Sequence, residues 1–444
     1  MNQPPPSVPV YRIGLYTGIA IVVANMVGTG VFTSLGFQVL SIESGFALLM
    51  LWLVGGLIAL CGALCYGELA AALPRSGGEY HYLSRIYHPA VGFLSGWVSA
   101  TVGFAAPTAL AAMALGRYAV SVWPGLHAGG LSLAVVVLIT AVHVRSARAG
   151  SRFQVAATAL KVGLLLLFIG AGLLAEPQPL RFVPTAVDWQ QLLSPAFAVS
   201  LIYVSYAYSG WNAAVYLAGE VEQPQRSLPR MLLVGTAVVV ALYVLLNYVF
   251  LRTTPLGTLA GQLEVGYLSA NQIFGVGIGQ LMGAVIALLL VSTVSSMIFA
   301  GPRITQTMGE DLPALRWLGR RNRRGLPVRA TLLQSGLTVL FIITATFEQV
   351  LVYAGFVLNL FTFLTVLGLF VLRWRQPELP RPYRTWGYPL TPLVFLALSG
   401  WTLLFLLRDK FLESVLGLAT VLLGLLVYGL VVGVGRLRPQ PPVG

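Results

Sequence analysis

The sequence predicts an all-α membrane protein with twelve transmembrane helices. Hydrophobic residues make up 57% of the 444-residue chain and charged residues only 9%, and the mean hydropathy is +0.83. A soluble domain carries about 25% charged residues. Apolar runs near or above the length that crosses a bilayer recur along the chain. They lie at residues 13–39, 44–72, 91–121, 130–144, 154–175, 194–219, 230–251, 276–300, 329–346, 350–372, 390–407 and 414–435.

The first apolar run is broken near its midpoint by Gly28-Thr29-Gly30. Each glycine costs a helix about 1 kcal/mol relative to alanine. Because lipid cannot hydrogen-bond a freed backbone amide, such a break must be buried in protein or line a cavity. The segment after the break offers free N–H groups and a positive dipole end to a carboxylate. The segment before it ends in carbonyls, among them those of Ala24 and Val27, that are expected to bind an ammonium group. The break thus predicts a receptor for a zwitterion.

A second break, Tyr208-Ser209-Gly210-Trp211-Asn212, has the matching place in the sixth run. Paired breaks in two halves of a chain indicate the substrate site of a transporter. The residues expected to complete this site, through backbone carbonyls before Gly210 and side chains after it, are Tyr206, Ala207, Tyr208, Trp211 and Asn212.

The two breaks divide the chain into two repeats of five spans. Since five is odd, the second repeat is inverted across the membrane relative to the first. The expected boundaries are 13–175 for the first repeat, 194–373 for the second and 390–435 for two further helices, with cytoplasmic tails at 1–12 and 436–444.

The net charge of +13 reflects the membrane and gives no indication of a nucleic-acid partner. With the N-terminus set inside, all but six of the 27 Lys and Arg residues fall in the tails or in the loops of one face. This is the positive-inside pattern of a multi-pass protein of the cell membrane (inner or plasma membrane) with both termini cytoplasmic. A basic face also suits anionic lipid.

Other functional classes lack their characteristic residues. No pair of catalytic groups or zinc motif lies within a span, so an intramembrane enzyme is not expected, and no cofactor or metal site is indicated. Cys61 and Cys65 lie on one face of the second span, and neither falls in an external loop. A disulfide-linked partner subunit is therefore not expected.

Several motifs resemble those of amino acid permeases. They are Gly28-Thr29-Gly30-Val31-Phe32, the stretch from Tyr66 to Tyr80 with its Pro-Arg-Ser-Gly-Gly-Glu-Tyr ending, Tyr208 to Asn212, Glu220 to Arg226, and Ala300-Gly301-Pro302-Arg303. The chain resembles the amino acid–polyamine–organocation (APC) superfamily, and within it the bacterial relatives of the L-type amino acid transporters (LAT). The resemblance implies the LeuT-type fold, with broken helices 1 and 6, and amino acid transport by alternating access. It also implies that the aromatic residue four positions before Gly210, Tyr206, closes over the substrate.

Neutral amino acids are the expected substrates. A buried cationic substrate would need a carboxylate at membrane depth, and only the span-end residues Glu68 and Glu220 are acidic in the core spans. The alternatives are a cationic amino acid or polyamine permease, and a sensor of the same fold that does not transport.

Lys161 is the only lysine within a span, and a charge at that depth indicates function. We expect it to reach the carbonyls near Gly28 and the hydroxyl of Thr293 or Ser296. The resemblance implies that this ammonium replaces the sodium ion that bridges spans 1 and 8 in sodium-coupled relatives. Sodium-independent exchange and proton symport both remain open. Near the cytoplasmic face, Glu68, Arg75 and Glu79 are expected to form a gate.

Overall fold

The computed structural model describes residues 13–145, 151–312, 315–322 and 325–434. The two predicted tails, 1–12 and 436–444, lie outside these ranges. The helices of the first half are α1 (Leu15–Met26), α2 (Gly30–Thr33), α3 (Leu35–Gln38), α4 (Gly45–Ala72), α5 (Gly78–Ile86), α6 (Pro89–Val98), α7 (Ala105–Val122), α8 (Ala128–His143), α9 (Ser151–Leu174) and α10 (Ala186–Leu192). A π-helical segment, Ser99–Gly103, joins α6 to α7.

The second half also contains long apolar helices. They and the shorter helices between them are α11 (Pro195–Tyr208), α12 (Pro224–Thr253), α13 (Leu256–Leu259), α14 (Val265–Phe274), α15 (Val276–Asp311), α16 (Arg316–Gly319), α17 (Val328–Thr344), α18 (Phe347–Arg375), α19 (Leu390–Asp409) and α20 (Phe411–Val434). A 3₁₀ segment, Ala213–Glu220, follows α11.

Nine helical segments of the described chain are long and apolar enough to cross a membrane, and a tenth span results if the bent pair α10 and Pro195–Glu220 counts as one. The protein is thus an all-helical multi-pass membrane protein. The fourth and ninth expected spans correspond to α8 and α17, which are shorter apolar helices. The predicted count of twelve is therefore reached only if these two short helices also cross.

Glycines in α4 bring the helices of the two halves together. A Cβ atom on Gly55 would lie 2.3 Å from a methyl carbon of Val204, and one on Gly56 would lie 2.6 Å from a methyl carbon of Val240. Small residues permit such close helix packing in membranes. As a result, α4 packs against both α11 and α12, and α11 carries the second break.

A second contact region ties α2 to the segment between α12 and α15. The hydroxyl of Tyr118 donates to the carbonyl of Phe32 (2.8 Å) and accepts from the N–H of Gly266 (3.0 Å). The N–H of Gly261 donates to the carbonyl of Gly36 (2.8 Å). Residues 257–275, between α12 and α15, are thus held against the chain beyond the first break.

Candidate functional site

The first span is broken where the sequence predicts it. α1 ends at Met26, and its backbone leaves the helical conformation at Val27 (ψ 84°). The next helix, α2, begins at Gly30. The hydroxyl of Tyr243 donates to the carbonyl of Met26 at 2.7 Å, which satisfies one acceptor at the end of α1. The break therefore separates two helix ends within the protein interior, as lipid requires.

The second break crosses the first at close range. Gly210 has φ +96°, and a Cβ atom there would lie 2.7 Å from the carbonyl oxygen of Asn25. A Cβ atom on Gly30 would lie 2.4 Å from the Cα atom of Ala207. Position 210 thus needs glycine for its left-handed backbone and for its close approach to the carbonyl of Asn25. Each break has a glycine that faces the backbone of the other.

A side-chain contact also joins the breaks. The hydroxyls of Thr29 and Tyr206 lie 3.3 Å apart, and both residues are buried. Tyr206 therefore lies across the first break, as a residue that closes over a bound substrate must. Its hydroxyl has a partner there, which the sequence did not indicate.

Substitutions of Tyr206 should separate the ring from the hydroxyl. We expect Tyr206→Phe to weaken substrate binding by about 1 kcal/mol, or roughly fivefold, because one neutral hydrogen bond is lost. Tyr206→Ala should cost about 2 kcal/mol or more, roughly 30-fold, because the ring is removed from the site. Binding of a labelled amino acid to the purified variants measures both. Equal losses in the two variants would contradict the expectation that the ring makes the larger contribution.

A cavity of about 590 Å³ lies beside the two breaks. Small-molecule sites occupy about 300–1,000 Å³, so the cavity has room for an amino acid. Of the predicted site residues, its wall includes Gly28, Thr29, Gly30, Glu79, Tyr206, Ala207, Tyr208, Gly210, Trp211, Asn212 and Thr293. The structure thus brings residues that are nearly 200 positions apart in the chain to one cavity.

Ala24 and Val27 do not form part of that wall. The last helical bond of α1 runs from the N–H of Val27 to the carbonyl of Val23, so the carbonyl of Ala24 is the first one that the helix itself leaves unbonded. The wall instead includes Asn25 and Met26. The ammonium-binding role of the carbonyls of Ala24 and Val27 stays a prediction.

Lys161 and Thr293 meet as predicted, at the side of the cavity. The ammonium of Lys161 donates to the Thr293 hydroxyl at 2.8 Å, and Lys161 is only 3% exposed. The hydroxyl of Ser296 donates instead to the carbonyl of Ser292. Among the described hydrogen bonds, none joins Lys161 to the carbonyls near Gly28. Of the expected partners of Lys161, only Thr293 has a described hydrogen bond to it, and Thr293 lies in the cavity wall.

The three predicted gate residues lie in different places. Glu68 is fully buried and accepts from the Nε and Nη2 atoms of Arg373 (2.8 and 2.6 Å) and from the N–H of Thr385 (2.7 Å). It ties α4 to α18 and the segment before α19, away from the cavity. Arg75 is exposed in the loop between α4 and α5 and does not form part of the cavity wall.

Glu79 alone of the three lies in the cavity wall, and it is 5% exposed. Its Oε1 atom accepts from the hydroxyl of Tyr66 at 2.7 Å and from the side-chain amide of Asn212 at 3.0 Å. Glu79 lies in α5, outside the apolar spans. Burial raises the pKa of its carboxyl above the ordinary value, while the hydrogen bonds from Tyr66 and Asn212 oppose that rise.

The wall also contains polar residues that the sequence analysis did not single out, among them Asn25, Ser99 and Asn359. Ser99 begins the π-helical segment, a geometry found often at functional sites, and no sequence pattern marks it. Asn359 was detectable as an amide within an apolar span, where polar side chains usually face the protein interior.

Similar proteins cover most of the chain. It is 29% identical over 429 residues to the mouse large neutral amino acids transporter small subunit 2, with 94% of this chain and 80% of that protein aligned. It is 27% identical over 429 residues to the mouse Asc-type amino acid transporter 1, with the same coverage. The human b(0,+)-type amino acid transporter 1 is 27% identical over 382 residues, with 84% of this chain and 78% of that protein aligned.

One of these names bears on the expected absence of a partner subunit. A small subunit is by its name part of a larger assembly, so that relative has a partner chain. In this chain, Cys61 and Cys65 are the only cysteines of the sequence and both are buried as free thiols. The name of this relative thus counts against the absence of any partner subunit. It says nothing about a disulfide link.

The family model gives the assignment. The model described as amino acid permease matches residues 13–426, which is nearly the whole described chain and includes both breaks and the cavity. The similar proteins are transporters rather than enzymes. The chain therefore belongs to the amino acid permease family.

Proposed function

We propose that this protein moves neutral L-amino acids across the cell membrane by alternating access. The observation that supports this most is the crossing of two helix breaks beside one cavity. Substrate sites of transporters with repeated halves lie at such breaks, where free backbone groups can bind charged parts of the substrate. The names of the similar proteins, with "large neutral amino acids" among them, favour the same substrate class.

The two ends of a zwitterion would bind different parts of the breaks. The carboxylate would receive N–H groups at Gly28, Thr29 and Gly30, at the start of α2. The ammonium group would bind carbonyls at the end of α1 and at Ala207 and Tyr208. The substrate side chain would then extend toward a second group of wall residues, which consists of Trp211, Asn212, Phe104 and Asn359.

The charge on the cavity wall supports a neutral side chain. The charged residues of the described wall are Glu79, Glu220 and Arg303, and none of them belongs to the residues of either break. Glu79 nevertheless favours a second candidate, a cationic amino acid or polyamine permease. A cationic side chain that reaches Glu79 would gain an opposite charge in a buried place.

A competition panel separates these candidates. Uptake of labelled alanine into proteoliposomes would be measured with excess unlabelled alanine, serine, leucine, arginine, putrescine or glutamate. The proposal predicts that the three neutral amino acids compete and the charged compounds do not. Stronger competition by arginine or putrescine would favour the second candidate and contradict the first. Binding without uptake would instead support a sensor.

The contacts between helices support two inverted repeats with the predicted boundaries, 13–175 and 194–373. α4 packs against α12, α7 against α15, and α8 against α17. Each pair joins a span of the first repeat to the span five positions later. The two breaks show the same relation. α19 and α20, within 390–435, add two helices outside the repeats.

An inward-facing orientation follows from the charge pattern and the cavity. The cavity wall extends from the breaks to Ser76, Arg303 and Met308, on the side with the basic loops. On the other side, hydrogen bonds of Tyr118 and Gly261 join α2 and the residues after it to the segment between α12 and α15. With the positive-inside rule, we propose that both termini are cytoplasmic and that the cavity opens toward the cytoplasm.

Coupling would be independent of sodium. A sodium site between spans 1 and 8 would lie near Thr293, and the ammonium of Lys161 already donates to that hydroxyl. A lysine carries a positive charge and three donors, so it would fill the place of the cation. Exchange and proton symport both fit this arrangement.

Assembly with a second subunit is compatible with these features. Because one relative is named a small subunit, we propose that this chain also associates with a partner chain. A link through Cys61 or Cys65 is not proposed, because both lie buried in α4.

A further inference from the structure

Glu79 is a buried carboxyl group whose hydrogen-bond partners are all neutral. Among the described residues its partners are the hydroxyl of Tyr66 and the amide of Asn212, both bound to Oε1. None of the ion pairs of the described chain involves Glu79. A buried carboxylate without a cation is costly, and such a group generally takes up a proton instead.

The contrast with Glu68 identifies what is unusual about Glu79. Both are buried, yet Glu68 pairs with the guanidinium groups of Arg373 and Arg381. The carboxyl of Glu68 is therefore paired with cations and serves a structural role. Glu79 has only neutral donors and forms part of the cavity wall, so a proton in the cavity can reach it.

The groups around Glu79 leave its charge uncompensated. The titratable residues that interact with it are tyrosines, namely Tyr66, Tyr82 and Tyr216. Of the elements packed on α5, α6 contains no charged residue, and α18 presents Arg373, which binds Glu68, and Arg375, which donates to the carbonyl of Ile86. The other ionisable residues of α5 are His81 and Arg85, and those of the cavity wall are Tyr80, Tyr206, Tyr208, Glu220 and Arg303.

Glu79 is also joined to a segment that the proposed alternating access would move. Asn212 belongs to the second break, and the 3₁₀ segment after it is held nearby by two further contacts. Ser76 accepts from the N–H of Gly219 at 2.8 Å, and Ile13 forms a bridge with Val221. A change in the charge of Glu79 therefore acts directly on a residue of the break.

We propose that Glu79 is a proton-binding site that couples transport to the proton gradient through Asn212 and the second break. This inference rests on the proposed function and specifies its coupling ion. In the present conformation Glu79 binds the proton. When the segment from Asn212 to Glu220 moves and water reaches the carboxyl, the proton is released to that water.

The sign of the pH effect follows from this order. Because burial raises the pKa of Glu79, the present conformation binds more protons than one with a hydrated carboxyl. It is therefore favoured at low pH and loses that advantage as pH rises through the raised pKa. Transport by the wild type should change with pH, and an imposed pH gradient should drive net uptake.

The test compares Glu79→Gln with Glu220→Gln in proteoliposomes. Glutamine mimics the protonated carboxyl and can still accept from Tyr66 and Asn212. We expect E79Q to retain measurable counterflow that no longer varies with pH, and to lose uptake driven by a pH gradient. Glu220 is exposed in the same cavity, so E220Q should retain the pH dependence. Gradient-driven uptake that persists in E79Q, or that is lost equally in E220Q, would overturn the proposal.

A second variant keeps the test informative if E79Q fails to fold. Tyr66→Phe removes one donor to the carboxylate, so it should raise the proton affinity of Glu79 and move the pH profile toward higher pH. A profile that stays in place would count against Glu79. If wild-type counterflow is itself absent, the proposed transport function fails. If counterflow is present without any pH effect, only the proton site fails.

Discussion

Replacing Gly28 with leucine is expected to abolish substrate binding while leaving the protein folded. A Cβ atom at Gly28 would meet only the carbonyl oxygen of Met26, at 3.8 Å, so the new side chain has space to enter the cavity. It would then occupy the place proposed for the substrate carboxylate. We expect a loss of affinity of about 100-fold or more, which corresponds to about 2.8 kcal/mol.

Gly163→Leu provides the matched control. Gly163 is exposed on α9, and a Cβ atom there meets nothing within 4 Å, so the same substitution is made away from the cavity. Binding of a labelled neutral amino acid to both purified variants measures the difference. Wild-type affinity in a folded Gly28→Leu variant would contradict the carboxylate site. Gly30 is less suitable, because a Cβ atom there would lie against Ala207 and disturb the crossing of the breaks.

Removal of the Lys161 ammonium has the second large expected effect. Lys161→Ala should lower transport about tenfold or more, because a buried hydrogen bond from a charged group is lost beside the cavity. Thr293, its partner, would lose its contact across the bundle. The measurement is uptake of a labelled neutral amino acid in sodium-free proteoliposomes.

Two further variants define the role of Lys161. Lys410 is the other lysine of the chain and pairs with Glu348 at the start of α18, so Lys410→Ala should leave uptake much less affected. Lys161→Arg keeps a permanent charge. Activity in that variant would indicate that a fixed positive charge is sufficient, whereas loss of activity would fit a lysine that releases its proton. Sodium-stimulated uptake by the wild type would contradict the proposed replacement of sodium altogether.

Composition and glycine pattern were enough to predict the helical membrane class and both breaks. Lipid enforces hydrogen-bonded helices, so long apolar runs leave little choice of structure. The position of Gly210 was also predictable, since no other residue adopts its backbone so readily. The lengths of α8 and α17 were harder to predict, because hydropathy defines the apolar core of a span better than the ends of the helix.

The finer geometry of the site depended on tertiary contacts. The register at the end of α1 placed Asn25 and Met26, rather than Ala24 and Val27, at the cavity. The π-helical segment at Ser99 has no sequence signature. The separation of Glu68 from Glu79 also could not be predicted, because the partner of Glu68, Arg373, lies about 300 positions later in the chain.

Counterflow of a labelled neutral amino acid tests the central proposal most directly. Liposomes containing the purified protein would be loaded with unlabelled alanine, without sodium and with equal pH on both sides, and then diluted into labelled alanine. The account predicts transient accumulation of label that is absent in liposomes without protein and in those with Gly28→Leu. Accumulation that is absent from the wild type, or equal in the Gly28→Leu variant, would contradict transport through the cavity at the two breaks.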